Sequence, residues 1–220
     1  MPLSIWEGME DCLAAIVEAA PASVLDAGIG FGLWGCLLRQ YLDVWAGRIQ
    51  PEQWRVRIDG IEIDANRVQP HARQLYTEIL IGDIRQVVPE RAAEVGYDVI
   101  LFGDVIEHLP KADGRALLEE AVRLARRLVV ARIPLGDGWR REGREEPDHH
   151  RSQWCAADLD GQEFAGRTAT LRTHDYHGNP YGLVTIPAAG GRRPIDPQLI
   201  GELELRLGRL EQRLAELVNS

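Results

Sequence analysis

The chain has 220 residues, a formal net charge of −9 and apolar side chains at 45% of its positions. These values are ordinary for a globular protein with one sizeable domain and a small addition, and they exclude a largely disordered chain. The acidic balance argues against a nucleic acid as the main partner, because phosphate binding needs a basic face.

The N-terminal segment is acidic where a signal peptide would be basic, and no apolar run approaches the ~20 residues of a membrane span. Residues 5–20 carry apolar side chains at helical spacing and predict an amphipathic helix that ends at Pro21. Cys12, Cys36 and Cys155 show neither a CxxC pair nor a metal-ligand spacing. We therefore predict reduced thiols in a cytoplasmic protein without a membrane partner.

Short apolar runs after this helix predict buried strands, and helical patterns lie between them. The strands are predicted at 23–27, 56–63, 79–81, 97–102 and 128–133. The helices are predicted at 33–44, 65–75 and 114–126. Strands that alternate with helices imply a parallel sheet with right-handed crossovers, because parallel neighbours need a long connection.

A polar, glycine-containing stretch at residues 135–153 predicts a long loop over one edge of the sheet. Two further strand-like runs, at 168–173 and 182–186, predict an antiparallel edge. The expected fold class is therefore α/β: a Rossmann-like, doubly wound, mostly parallel seven-stranded sheet with an antiparallel edge and a C-terminal helix.

The last part of the chain is predicted to lie outside the main domain, which we assign to residues 1–187. Residues 188–195 read as a linker, and residues 196–220 as an amphipathic helix with Asp196 as its N-cap. Its apolar residues recur in alternating steps of three and four, as the a and d positions of a coiled coil do: Ile200, Leu203, Leu207, Leu210, Leu214 and Leu217. We expect homo-oligomerisation through this helix, with packing on its own domain as the alternative.

The stretch VLDAGIGFG, residues 24–32, follows the first predicted strand and is typical of a loop that passes close to a nucleotide-type cofactor. A dinucleotide fingerprint needs a small third residue at the position of Leu33. Asp26 stands two residues before Gly28, where a carboxylate suits the ammonium of an amino-acid moiety better than a pyrophosphate. Both observations disfavour a dinucleotide-dependent oxidoreductase.

Acidic residues also stand where the later strands end. Glu62 closes the second strand, at the sheet edge where ligands bind in open α/β folds, and can accept hydrogen bonds from both hydroxyls of a ribose. Asp83 follows the third strand, where it can meet an adenine amino group while Ile84 packs on the ring. Asp104 follows the fourth. One carboxylate per strand end predicts a single ligand site at this edge.

Together, the stretches VLDAGIGFG, GIEID, GDI and YDVILFGDVIEHL resemble class I S-adenosylmethionine-dependent methyltransferases over about residues 20–135. The resemblance implies S-adenosyl-L-methionine as cofactor and S-adenosyl-L-homocysteine as product. It also implies which residues contact the cofactor. Asp26, Gly28 and Gly30 contact its methionine end, and Glu62 and Ile63 contact the ribose. Asp83 and Ile84 contact the adenine, and Asp104 lies where the cofactor meets the acceptor.

The stretch DHHRSQW is similar to an ExHxSxW-like arrangement in a subgroup of small bacterial methyltransferases. The matching positions are Asp148, His150, Ser152 and Trp154. Methyl transfer from a sulfonium is an in-line displacement, and a hydroxyl acceptor must also lose its proton. His108, just past the fourth strand, and His150 are the predicted catalytic bases, because imidazole titrates near neutral pH.

Two further features near this motif bear on the acceptor site. Trp139 and Trp154 are candidates for an apolar wall that contacts the substrate, with packing in the core as the more common alternative. His149 and His150 beside Asp148 raise the question of a metal, but adjacent imidazoles point in different directions and no third ligand is evident. We therefore predict no metal.

The predicted function is that of an S-adenosylmethionine-dependent methyltransferase (EC 2.1.1.-). The expected acceptor is an oxygen or nitrogen of a small molecule, such as a sugar, a glycan precursor or a secondary metabolite. The alternative is a non-catalytic protein that binds S-adenosylmethionine and recruits a partner through its C-terminal helix.

Overall fold

The computed structural model describes residues 5–139 and 149–188. Its first strands are β1 (Ser23–Ala27), β2 (Arg57–Glu62), β3 (Glu78–Ile81), β4 (Val99–Gly103) and β5 (Leu128–Pro134). Four more follow, namely β6 (Glu163–Phe164), β7 (Arg167–Thr168), β8 (Thr170–Tyr176) and β9 (Asn179–Pro187). Seven strands form one sheet in the order β3-β2-β1-β4-β5-β9-β8, while β6 and β7 pair separately.

Strands β1 to β5 run parallel, β9 is antiparallel to β5, and β8 is antiparallel to β9. The predicted seven-stranded sheet with its antiparallel edge is therefore confirmed. β1 and β4 are buried along their whole length, as expected of strands that are covered on both faces.

Helices cover the two faces of the sheet. They are α1 (Met9–Glu18), α2 (Leu33–Arg39), α3 (Ala72–Leu75), α4 (Ile84–Val95) and α5 (Lys111–Leu124). Residues of α1, α2 and α3 form one hydrophobic core with one side of the sheet, and residues of α4 and α5 form a second core with the other side. This doubly wound arrangement leaves the carboxyl ends of the parallel strands open for a ligand.

Three predicted helices differ from the observed ones. The first begins at Met9 rather than near residue 5, because Gly8 adopts a left-handed conformation at its start. The second passes from α2 into a π-helical turn over Gln40–Val44. The predicted helix 65–75 is interrupted at Pro70, which lacks a backbone N–H, so that only the turn Ala65–Arg67 and the short α3 form.

One helix, α4, is not among those named from the sequence. It contains Pro89, which discourages a helical prediction, yet Asp83 caps its N-terminus and Ile84, Val88 and Ala92 bury one face. The burial of this face holds the helix despite its proline.

The predicted linker lies almost entirely outside the described residues, as do the whole C-terminal helix and Asp148. Within the described ranges, none of the helices has the length and apolar character needed to cross a bilayer. Cys12, Cys36 and Cys155 are free thiols.

Candidate active site

A cavity of about 370 Å³ opens at the carboxyl ends of the parallel strands. It lies beside β1 and β4, where the strand order changes direction, and this is the position at which open α/β sheets bind their ligands. The predicted cofactor residues that line it are Gly28, Gly30, Glu62, Ile63, Asp83, Ile84 and Asp104. The structure therefore brings residues from four strand ends to one cavity large enough for a small ligand.

The glycine loop after β1 has a backbone that other residues adopt only with strain. The φ angles of Gly28 and Gly30 are +109° and +51°. The loop is fixed by hydrogen bonds from the amides of Gly28 and Ile29 to the carbonyl oxygen of Ile61, at 3.1 and 2.9 Å. A Cβ atom at position 28 would lie 2.8 Å from Cγ2 of Val105. Glycine at this position therefore allows the loop to pack closely against Val105.

Asp26 lies behind the glycine loop and does not line the cavity. Its carboxyl group is fully buried and accepts a hydrogen bond of 2.5 Å from the hydroxyl of Tyr76, which in turn accepts one from the amide of Gly35. Burial raises the pKa of Asp26 to about 7. The hydrogen bond from Tyr76 lowers this pKa, and the nearby charge of Glu62 raises it. Asp26 is thus held by Tyr76 and does not reach the cavity for which the sequence predicted it.

This raised pKa predicts how stability depends on pH. Between the ordinary pKa near 4 and the folded value of about 7, the folded chain binds the proton and the unfolded chain releases it, so stability decreases as pH rises. We expect the free energy of unfolding of the wild type, relative to Asp26→Asn, to fall by roughly 1 kcal/mol per pH unit between about pH 5 and 6.5. Urea unfolding of both proteins across this range measures it, and a difference that does not change with pH would contradict it.

Glu62 ends β2 with its side chain almost completely buried at the cavity wall. Oε1 accepts a hydrogen bond of 2.9 Å from the amide of Ile63 and lies 3.5 Å from Nε of Arg67. Burial raises the pKa of Glu62, while Arg67 and nearby backbone amides, including that of Gly30, favour its ionised form. The carboxylate is therefore held in place by the backbone, beside a positive charge.

Asp83 caps α4 and accepts hydrogen bonds from both the amide and the guanidinium of Arg85, the amide at 2.9 Å. The hydrogen bonds from the Arg85 side chain lower the pKa of this carboxyl group, so that it is ionised at neutral pH. Ile63 and Ile84 also line the cavity, next in sequence to Glu62 and Asp83. This part of the cavity combines two acidic groups with two apolar side chains.

Asp104 follows β4 with a left-handed backbone, its φ angle being +60°. Its carboxyl group lies 3.6 Å from Nη1 of Arg132, an arginine that β5 carries into the core and that is fully buried. Arg132 also donates hydrogen bonds of 2.9 and 2.8 Å to the carbonyl oxygens of Ile5 and Glu7. Since Ile5 lines the cavity, the buried guanidinium attaches the N-terminal segment to the site.

Both predicted bases line the same cavity. The rings of His108 and His150 pack edge to face with their centroids 5.0 Å apart, although the residues are distant in the sequence. Glu107 lies beside them and is almost fully buried. Burial, followed by the charge of Asp104, raises the pKa of Glu107 well above its usual range. Glu107 has no role predicted from the sequence, although its position directly before His108 is a signal for one.

The two tryptophans that are candidates for a substrate wall lie in different places. Trp139 lines the cavity and packs edge-on against Tyr181, with ring centroids 5.4 Å apart. Trp154 is buried in the core and does not line the cavity, so the alternative of core packing holds for this residue. Its indole instead donates a hydrogen bond of 2.9 Å to the hydroxyl of Ser152. Core packing explains why this tryptophan cannot reach a substrate.

The fold is that of the class I S-adenosylmethionine-dependent methyltransferases, which solved structures of this class share over most of the chain. One is the 1,6-didemethyltoxoflavin N1-methyltransferase of Burkholderia thailandensis, solved with that compound and S-adenosylhomocysteine. It is 16% identical at a TM-score of 0.58, and the match covers 80% of this chain and 76% of that one.

Two others are an O-methyltransferase of tomaymycin synthesis from Streptomyces achromogenes and the magnesium protoporphyrin IX methyltransferase of Synechocystis. The first, solved with S-adenosylmethionine, is 15% identical at a TM-score of 0.53, with 86% of this chain and 82% of that one covered. The second, solved with S-adenosylhomocysteine, is 15% identical at a TM-score of 0.50, with 82% and 81% covered. No protein-family model and no curated protein matches the sequence.

Proposed function

We propose that the cavity binds S-adenosylmethionine and that the protein transfers its methyl group to an oxygen or nitrogen of a small molecule. The observation that carries this proposal is the convergence of the glycine loop, Glu62, Asp83 and Asp104 on one cavity in this fold. The solved structures with the same fold, which contain S-adenosylmethionine or S-adenosylhomocysteine, support it. When bound, the cofactor supplies an electrophilic methyl group on a sulfonium.

The residues present fit this cofactor. The carboxylate of Glu62 is suited to accept hydrogen bonds from the ribose hydroxyls, and Ile63 to pack beside them. Asp83 and Ile84 offer an ionised acceptor and an apolar face for adenine. Gly28 packs against Val105, which also lines the cavity, so closely that a Cβ atom at position 28 would not fit, and this close packing leaves room for the methionine end.

The acceptor is proposed to lie beyond Asp104, where aromatic side chains and imidazoles line the cavity. Trp139 and Tyr181 form an aromatic wall there, and His108 and His150 provide two imidazoles. The aromatic wall favours an acceptor with an apolar or ring-shaped face, which agrees with a sugar, a glycan precursor or a secondary metabolite. An imidazole accepts the proton that a hydroxyl acceptor loses, and orientation by the wall reduces the barrier.

The division into domains and the self-association of residues 196–220 stay proposals supported by the heptad spacing of the leucines. The cytoplasmic location stays a proposal supported by the three free thiols. No observation in residues 5–139 and 149–188 favours the alternative of a non-catalytic scaffold.

Glu62 provides the test of the cofactor site. Its charged hydrogen bonds to the ribose are worth about 2 kcal/mol together, so Glu62→Ala is expected to weaken the binding of S-adenosylhomocysteine roughly 30-fold. Isothermal titration calorimetry measures the affinity. Glu78→Ala is the matched control, because Glu78 begins β3 and does not line the cavity. Binding of NADH in place of S-adenosylhomocysteine would overturn the proposed function.

A further inference from the structure

Glu107, His108 and His150 form a cluster at the proposed acceptor end of the cavity. One potential ligand atom from each residue lies within 4.8 Å of the other two, and all three residues line the cavity. We propose that this cluster binds a divalent transition-metal ion. The sequence predicted no metal because a third ligand was not evident beside the histidines, and Glu107 is the ligand that the fold supplies.

Glu107 has an oxygen that requires a partner. The residue is only 2% exposed, and its Oε2 makes no hydrogen bond within the described residues. A buried polar oxygen without a partner is costly, typically by about 1–3 kcal/mol and more for a charged group. A cation that enters through the cavity satisfies this oxygen.

His108 is held in the orientation and tautomer of a metal ligand. Its Nδ1 lies 3.1 Å from the carbonyl oxygen of His149. A carbonyl oxygen only accepts hydrogen bonds, so Nδ1 carries the proton and Nε2 keeps a lone pair. Histidines that bind metals typically donate their other ring N–H to a carbonyl or carboxylate in this way, and that bond fixes the ring.

The segment that carries His150 is anchored to the Glu107 backbone. The amides of Arg151 and Ser152 donate hydrogen bonds of 2.9 and 3.1 Å to the carbonyl oxygen of Glu107. Ser152 is fixed in turn by the indole of the buried Trp154. The His-x-Ser-x-Trp spacing thus positions an imidazole opposite Glu107, and two of the proposed ligands share one anchor point.

The donor set selects the kind of cation. Two imidazoles and one carboxylate suit Zn²⁺ or Co²⁺, whereas Mg²⁺ prefers oxygen ligands. Three protein ligands leave at least one coordination position for water or an oxygen of the acceptor. A hydroxyl bound to such a cation has a lowered pKa and releases its proton to solvent, so that in the metal-bound state the imidazoles act as ligands instead of bases.

Calorimetric titration of Zn²⁺ into the full chain, first treated with a chelator, tests the proposal without cofactor. We expect one site, at least tenfold weaker in Glu107→Gln and in His150→Gln. Titration with Co²⁺ should give visible absorption bands that both variants lose. His177→Gln is the matched control, because His177 lies in the turn between β8 and β9 and does not line the cavity.

The proposal fails if Zn²⁺ does not bind, or if both cluster variants bind it as tightly as the wild type. Circular dichroism of each variant shows that a lost site is not a lost fold, and His150→Gln changes a less buried side chain than Glu107→Gln does. A chain that binds Zn²⁺ at this site but not S-adenosylhomocysteine would overturn the proposed function and leave the metal site standing. The two failures are therefore distinguishable.

Discussion

Replacement of Arg132 by methionine is expected to lower the free energy of unfolding by about 3–5 kcal/mol, the range typical when one partner of a buried ion pair is removed. Methionine fills much of the volume but leaves Asp104 beside an apolar group. It also removes the donors to the carbonyl oxygens of Ile5 and Glu7, so the N-terminal segment loses its attachment to the cavity. Denaturant unfolding measures the change in stability.

Arg123→Met is the matched control for Arg132→Met. Arg123 lies on α5 and pairs with Glu120 at 2.9 Å, and its side chain is 53% exposed. Exposed pairs of this kind contribute at most about 1 kcal/mol, so the control should unfold nearly as the wild type does. Equal, small effects in the two variants would show that the guanidinium of Arg132 does not balance the charge at the site.

The framework of the sheet was predictable because it depends on short, local patterns. β1 was predicted with its observed ends, since the apolar run is bounded by a proline on one side and by Gly28 on the other. α4 was not predicted, because Pro89 disfavours a helix in a local sequence pattern. In the folded chain, burial of one face of α4 stabilises the helix despite this proline. Local preference and tertiary packing disagreed at that helix, and packing prevailed.

The site was predictable to the extent that strand ends determine it. Glu62, Asp83 and Asp104 reach one cavity because parallel strands end at the same edge. The contacts that support them were not predictable, because they join distant parts of the chain. Tyr76 reaches Asp26 across 50 positions, and Arg132 reaches Ile5 across 127. Neither spacing repeats or resembles a local motif, so only the folded chain reveals that Asp26 faces inward.

Gly28→Ala is expected to weaken the binding of S-adenosylhomocysteine roughly tenfold, or about 1.4 kcal/mol. A φ angle of +109° is strained for alanine, and the new Cβ would lie 2.8 Å from Cγ2 of Val105. Strain and overpacking together cost about 3 kcal/mol. The loop relieves this cost by moving, and it then displaces Val105, which lines the cavity next to Asp104. Calorimetry with S-adenosylhomocysteine measures the affinity, and urea unfolding measures the part of the cost that appears as lost stability.

Gly161→Ala separates the two contributions. Gly161 has a φ angle of +66°, but a Cβ atom there would meet nothing within 4 Å, and the residue does not line the cavity. This control is expected to lose about 1 kcal/mol of stability and no affinity. The double variant Gly28→Ala/Val105→Ala removes the clash and keeps the strained φ angle, so it should recover part of the affinity. If Gly28→Ala binds S-adenosylhomocysteine with wild-type affinity, then the ligand does not approach this loop, because movement of the loop and of Val105 would not affect binding.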